Sequence, residues 1–337
     1  MQVTFKNVGQ GDSILLEWEK EGKTHYGIID CNIYDAKNPV LEEIIKKKVS
    51  YIDFIILSHF HFDHYSGLGE LLEYLTDNKI TVGIFIHTLT SMFLEIFELQ
   101  ENSRRVIRNT ENFALNFEKA NKEEILLEID AASNKYTPIH LYDEVYLSFL
   151  APTNQDEILL SKQKIRYSKK LSTTFPDVNF VSTVILISNK DEGILLTSDA
   201  KKHSFVRIFR KMATDKMKLH VKLIQVPHHG SLYNLEEKFW NYIKKDDKCP
   251  AIFSVGDSKK DKLPNKEVVE FFDTIGCHNI STNYVYGISD FYPGTTITDN
   301  KNPLGYNLPI FATKIKTIPK AIPHSRFQGD QILNVDF

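Results

Sequence analysis

Short apolar runs, some alternating and some continuous, are separated along this chain by charged stretches with helical spacing. Gln2–Phe5 and Ser13–Trp18 read as strands around the turn Val8-Gly9-Gln10-Gly11-Asp12, and Tyr26–Asp30 as a third, closing on an acid. Pro39 marks the start of a helix over Val40–Lys48. Ile52–Leu57 is a continuous β-branched and apolar run, the pattern of a strand covered on both faces. Gly67–Leu75 then predicts a helix and Thr81–Ile86 a strand. From Ser91 to about Ile129 the spacing is helical, amphipathic and highly charged, which fits an inserted helical pair or a lid. Val145–Leu150 predicts a strand, and the polar, lysine-rich Asn154–Pro176 a loop. Strands over Ser182–Ile187, Ile194–Thr197 and Leu219–Val226 follow, with a helix over Lys201–Met212 between the last two. Ala251–Val255 and Asn279–Thr282 flank a helix over Asn265–Ile275. Helices alternate with strands after a β-rich start, so the pattern predicts an α/β fold with two sheets sandwiched between helices.

The length of 337 residues allows one α/β domain with insertions, or a domain plus a small addition. A hydrophobic content of 42% and a charged content of 25% suit a globular protein. No apolar run reaches the ~18 residues of a membrane span. The start goes directly into strand alternation, with no basic-then-apolar leader pattern. Cys31, Cys249 and Cys277 are few, odd in number and far apart, and none lies in a Cys-x-x-Cys pair. That usage argues against a disulfide framework or a cysteine zinc site and fits a reducing, cytoplasmic location. A net charge of −3 argues against a globally basic nucleic-acid binder. The charge is uneven, however: Ser161–Lys222 holds 14 Lys and Arg against 5 Asp and Glu. Such an asymmetry can guide an anionic substrate. It fits a solvated helix face around Arg207, Arg210 and Lys211 more simply.

The chemistry concentrates at Ser58-His59-Phe60-His61-Phe62-Asp63-His64. Residues two apart in an extended segment share a face, so His59 and His61 can point at one ion. The turn into the next helix can bring Asp63 and His64 to a second point nearby. Imidazoles and a carboxylate suit zinc, and also manganese or iron. Four ligand-type residues within six positions, directly after a buried strand, are hard to read as a chance polar loop.

This run resembles the signature of the metallo-β-lactamase superfamily, an αββα sandwich with a two-metal site at one edge. The resemblance implies His59 and His61 on one metal, with Asp63 and His64 on the second. It implies Asp199, in Leu195-Leu196-Thr197-Ser198-Asp199, as the bridging carboxylate, a position that also fits a cap for the following helix. Asp30 matches the early acid that orients the histidine loop. His228, in Pro227-His228-His229-Gly230-Ser231, matches the last ligand, being nearer the strand end, and leaves His229 behind the ligands or as an acid near substrate. Many members carry a further histidine between Asp63-His64 and the bridging acid; Asn179–Val184 contains none. The first site then holds His59, His61 and Asp199, completed by water or a weak oxygen ligand from Asn179 or Ser182.

That departure, with Asn7–Ser13, Leu196–Asp199, Pro227–Ser231 and Ser254-Val255-Gly256, resembles the hydrolase domain of ComEC-type competence proteins over about Met1–Thr282. The resemblance implies two divalent metal ions, zinc or manganese, and a metal-activated hydroxide attacking a phosphodiester, with Asp199, Asp63 and His229 carrying catalysis. Nucleic acid is then the leading substrate. Asp12 and Ser13 in the glycine turn, Ser231 and Lys262 are the substrate contacts this reading suggests, the turn being equally compatible with an ordinary hairpin. The hydrolase domain is expected over 1–285, with a helical insertion at about 91–131, and a C-terminal extension over 286–337 packed on it. A small ester or cyclic nucleotide is the second substrate class, and a metal-poor module acting with a protein partner the third reading; a homo-oligomer also stays open. No membrane association is expected.

Overall fold

The alternation in Ile14–Leu16 and Phe54–Leu57 divides the core. Ile14, Leu16, Phe54 and Ile56 point into one buried cluster, and Leu15, Ile55 and Leu57 into another. A strand buried on both faces must be covered on both sides. The computed structural model describes residues 1–88, 103–173, 175–256, 263–282 and 330–337, and it supplies both covers.

The chain runs β1 (Gln2–Phe5), β2 (Ile14–Lys20), β3 (Lys23–Ile29), α1 (Pro39–Lys47), β4 (Tyr51–Leu57), α2 (Phe62–Tyr65), α3 (Leu68–Asp77) and β5 (Thr81–His87). Next come α4 (Arg104–Lys122), β6 (Ile129–Ala131), β7 (Ile139–Tyr142), β8 (Val145–Ala151), α5 (Asn154–Ser168), β9 (Val184–Ser188), β10 (Glu192–Leu196), α6 (Lys202–Thr214) and β11 (His220–Gln225). Last are α7 (Glu237–Tyr242), β12 (Lys244–Lys245), β13 (Pro250–Phe253), α8 (Lys266–Thr274), β14 (His278–Ser281) and β15 (Gln331–Asn334). One sheet has the order β15-β1-β2-β3-β4-β5-β6, the other β14-β13-β11-β10-β9-β8-β7, with β12 beside β11. The inner core, with Val3, Phe54 and Ile56 from the first sheet and Leu147, Ile187 and Leu223 from the second, lies between them. Helices α1, α3 and α4 cover the outer face of the first sheet, and α6, α7 and α8 that of the second. This is the αββα sandwich the sequence predicts.

Two expectations change. Asn154–Ser168 is a helix and not a loop. Asp156 Oδ2 accepts from the Thr153 N–H at 2.8 Å and its hydroxyl at 2.7 Å, fixing the first turn. The apolar period is weak because Leu160 is buried while Ile158 and Ile165 face outward. The described part of the 91–131 stretch is not a loose lid: α4 completes the outer helix layer. Its Phe113 is fully buried beside Phe60, Tyr65 and Phe85, and Tyr65 Oη lies 2.7 Å from Thr110 Oγ1. Residues 89–102 lie outside the described residues. The described end of the extension joins the first sheet: β15 pairs antiparallel with β1, and Asp330 Oδ2 binds the buried Lys6 ammonium at 2.6 Å. Most of the 286–337 extension lies outside the described residues. No helix among the described residues is long and apolar enough to cross a membrane.

All three cysteines are buried and unpaired. Burial pushes the thiols of Cys249 and Cys277 up to about 12 and about 11. Thiolate is the reactive form, so these groups are protonated at neutral pH. Native protein is expected to react with Ellman's reagent at least about a hundredfold more slowly than a free thiol, with three thiols appearing in guanidinium. Fast reaction in the native state would contradict this packing.

Candidate metal centre

Strand β4 delivers the histidine run to the edge of the sandwich. His61 is still extended (φ −107°, ψ 150°) and stands at the N-cap of the single-turn helix α2, which carries Asp63 and His64. The change from extended to helical backbone aims the four donors from two directions. His59 Nε2 and His61 Nδ1 are 3.0 Å apart. Beneath them Asp30, fully buried at the end of β3, accepts from the Ser58 N–H (2.7 Å) and hydroxyl (2.6 Å) and lies 2.7 Å from His64 Nδ1. Donation by Nδ1–H to that carboxylate leaves the His64 Nε2 lone pair facing the site.

The Val8–Asp12 turn forms a shelf behind Asp63. The Asp12 N–H donates to the Asp63 carbonyl at 3.1 Å. Gly11 (φ +125°) lies so close that a Cβ there would be 2.3 Å from the same oxygen, so only glycine fits. Asp12 and Ser13 are therefore not substrate contacts. Both are buried; the Ser13 hydroxyl donates to the Asp12 carbonyl at 2.7 Å and accepts from the Asn32 N–H at 2.7 Å. Asp12 Oδ2 accepts from Gln225 Nε2 at 2.7 Å.

The second sheet brings Asp199 and the histidine pair. Gln225 Oε1 accepts from the N–H groups of Thr197 (2.9 Å) and Ser198 (3.0 Å), and Ser182 Oγ from that of Asp199 (3.0 Å). The helix cap falls on Lys201, so the Asp199 carboxylate is not spent on α6. His228 and His229 are both left-handed (φ +47° and +54°), a backbone costing about 1 kcal/mol or more per residue. This paired conformation sends adjacent side chains to different oxygens of Asp199. His228 Nε2 lies 3.5 Å from Oδ2, and His229 Nε2 lies 3.4 Å from Oδ1. His59 Nε2 is 3.7 Å from Oδ2, and His64 Nε2 is 3.6 Å from Oδ1. His229 Nε2 is also 3.5 Å from Asp63 Oδ2. The geometry thus reverses the expected order within the pair. His229 joins Asp63 and His64, while His228 stands on the His59 side. Sequence position alone cannot reveal this, because the left-handed turn and not distance from β11 sets where each ring points.

Three further imidazoles are anchored through Nδ1. His229 Nδ1 lies 2.6 Å from the Ser254 carbonyl, His228 Nδ1 3.1 Å from Asn234 Oδ1, and His59 Nδ1 3.1 Å from Ser58 Oγ. The Nε2 atoms of His64 and His229 and Asp199 Oδ1 are buried and hydrogen-bond to nothing. Separations of 3.4–3.7 Å from the Asp199 oxygens are long for hydrogen bonds. They suit donors that each lie ~2 Å from a shared cation. His59, His64 and Asp199 form one group with ligand atoms within 4.8 Å of one another, and Asp63, His64 and His229 another. The residues therefore fit a metal centre.

Charge balance supports this fit. Burial opposes ionisation of Asp199, but the imidazoles, His228 first, outweigh it and hold the carboxyl well below its usual range. Asp63 is lowered in the same way, against its burial, by His64 and His229. Burial opposes charge on His64 and His229 too, yet Asp199 and the other carboxylates raise both, His229 to about 9. His59 moves the other way, lowered by burial and then by His64 and His61. Burial raises Asp30 to about 6 against the pull of His64. A cation entering this cluster displaces protons, so its affinity weakens as pH falls.

The other predicted residues separate. Asn179 is buried, with Oδ1 unbonded, on the 3-10 turn Val178–Val181, and Ser182 supports the Asp199 backbone. Ser231 is buried after the histidine pair, its N–H donating to the His228 carbonyl at 2.9 Å. Lys262 lies outside the described residues. Sequence reasoning missed Ser58, Ser198, Gln225 and Asn234. Ser198 Oγ donates to Ser58 Oγ at 2.7 Å across the two sheets. A lone amide ending an apolar strand was a signal for Gln225, since a buried amide needs partners.

These donors thus lie together at one edge of the αββα sandwich. Residues 7–140 match the family model of the metallo-β-lactamase superfamily, and the two-sheet fold of the described residues is that superfamily's. Three solved structures are similar to the chain at low identity. The metallo-β-lactamase fold protein YhfI from Bacillus subtilis is 10% identical, with 85% of this chain and 96% of that one covered and a TM-score of 0.41. Zn(2+)-bound PqqB from Methylobacterium extorquens is 7% identical, with 83% and 98% covered and a TM-score of 0.44. A long form RNase Z from yeast is 12% identical, with 78% and 39% covered and a TM-score of 0.34. No curated protein sequence matches the chain.

Proposed function

We propose that this protein is a metal-dependent phosphodiesterase holding two divalent ions, zinc or manganese. The observation that carries the reading is the convergence of buried, unbonded Nε2 and Oδ atoms on Asp199. His59, His61, His228 and Asp199 would hold one ion, and Asp63, His64, His229 and Asp199 the other. His228 takes the place left by the histidine missing from Asn179–Val184. Such ions acidify water and stabilise developing negative charge on a substrate. Asp199 would lie between the two donor sets and, with Asp63, could accept a proton at the reacting face. Lys201, two residues beyond Asp199, pairs with Asp177 and stands 5.5 Å above the Phe180 ring, where it can meet a substrate phosphate. Tyr233, 90% exposed beside Asn234, offers a face for a nucleobase. The likeness to ComEC-type hydrolase domains points to nucleic acid as substrate.

A small phosphodiester is the second reading. It is favoured because much of the basic segment is engaged internally: Arg207 with Asp156, Lys211 with Asp215 and Lys222 with Glu192. Long duplex DNA binds through many free cations. The test is metal-loaded protein with bis(p-nitrophenyl) phosphate, single-stranded DNA and duplex DNA. His228→Ala and His229→Ala are each expected to lose about one ion and at least ~100-fold in hydrolysis. Cleavage of the small diester alone selects the second reading. Hydrolysis of a nitrophenyl carboxylic ester with no phosphodiester cleaved refutes the phosphodiesterase assignment.

A further inference from the structure

Away from the metal centre, α6 and the edge of the second sheet enclose an open-sided cavity of about 530 Å³. None of its lining residues belongs to the donor cluster. The volume lies within the ~300–1,000 Å³ of small-molecule sites. Phe149 and Leu150 of β8, Ile208 and Met212 of α6, and Met217 beyond the helix give it an apolar floor. Phe149, Ile208 and Met212 are buried, whereas Met217 is 41% exposed. Methionines adapt their shape to varied apolar ligands.

The polar lining has one sign of charge. Lys135, Arg207, Arg210 and Lys211 border the cavity, and no carboxylate does. Arg207 is neutralised by the buried Asp156 of α5, and Lys211 by Asp215 at 2.9 Å. Arg210 and Lys135 make no ion pair with any described acid. Two unneutralised cations beside an apolar floor are complementary to an anion with an apolar body, since the floor gains from burial and the cations from a charge they otherwise lack.

We propose that this cavity is a binding site for a small amphipathic anion. Its acyl or aryl body lies on Leu150, Ile208 and Met212, and its carboxylate, sulfonate or phosphate is met by Arg210 and Lys135. The site is separate from the hydrolytic reading and stands or falls independently of it. The probe is 1-anilinonaphthalene-8-sulfonate, titrated into the full chain and followed by fluorescence, with decanoate and decanol as competitors. The expected result is saturable binding at one site per chain, displaced by decanoate. Arg210→Glu and Lys135→Glu should each weaken it at least tenfold while leaving circular dichroism and melting temperature unchanged. Unsaturable binding, equal displacement by uncharged decanol, or unaltered affinity in both folded variants overturns the proposal.

Discussion

Replacing Asp199 by asparagine is expected to lower metal content by at least one ion per chain and to reduce phosphodiester hydrolysis by about a thousandfold or more. Four imidazole nitrogens, those of His59, His228, His64 and His229, lie 3.4–3.7 Å from its two oxygens. An amide keeps the volume, offers one oxygen and turns an NH2 group toward the other set of donors. It also removes the charge that offsets cations in a buried cluster, where uncompensated charge is costly. The fold should survive, because the Asp199 backbone stays tied to Ser182. Elemental analysis and hydrolysis of bis(p-nitrophenyl) phosphate check this together. A variant with full metal content and activity within tenfold of the parent would remove Asp199 from the centre.

Asp30→Ala is expected to act on stability and metal binding at once. The carboxylate is fully buried, accepts two hydrogen bonds from Ser58 and holds His64 Nδ1. Alanine leaves those groups buried without partners and creates a small cavity, a loss of about 3–5 kcal/mol in folding free energy. The His64 ring then loses the contact that sets its tautomer, and metal affinity should fall about 10- to 100-fold. Urea unfolding of the metal-free protein and metal titration at low urea separate the two effects. Unchanged affinity at an unchanged urea midpoint would show that Asp30 does not orient the site.

Much of this site was legible because its main chemistry is local in sequence. Ile52–Leu57 announces a buried strand, and the donors follow within six residues, so element and ligands locate each other. Asp30 and Asp199 were legible in the same way, as acids ending apolar runs. The roles of His228 and His229 were not, because two consecutive left-handed residues decide them and no pattern of residue types encodes those angles. Asp12 and Ser13 were misplaced for a related reason. A glycine turn announces a close approach of backbone, but not whether the neighbour is a substrate or, as here, the Asp63 carbonyl. Helix α5 was hidden because its stability comes from the Thr153–Asp156 cap and from Asp156 meeting α6, with few apolar residues facing inward. Strand β15 has only four residues and forms against β1, a partner more than 300 positions away, so no local signal reports it.

The polar contacts between the sheets bear on how the protein reaches its working state. Ser198 meets Ser58 across 140 positions of chain, and Gln225 meets Asp12 across 213. Loops of that size close late, since their entropy is lost before the contact repays it. The donors of the first sheet and those of the second therefore become neighbours only when both sheets have formed and docked. Separation of the sheets would disperse both halves of the ligand set together. The complete donor set is thus a property of the fully assembled sandwich, and a partly folded form holds no working fragment of the centre.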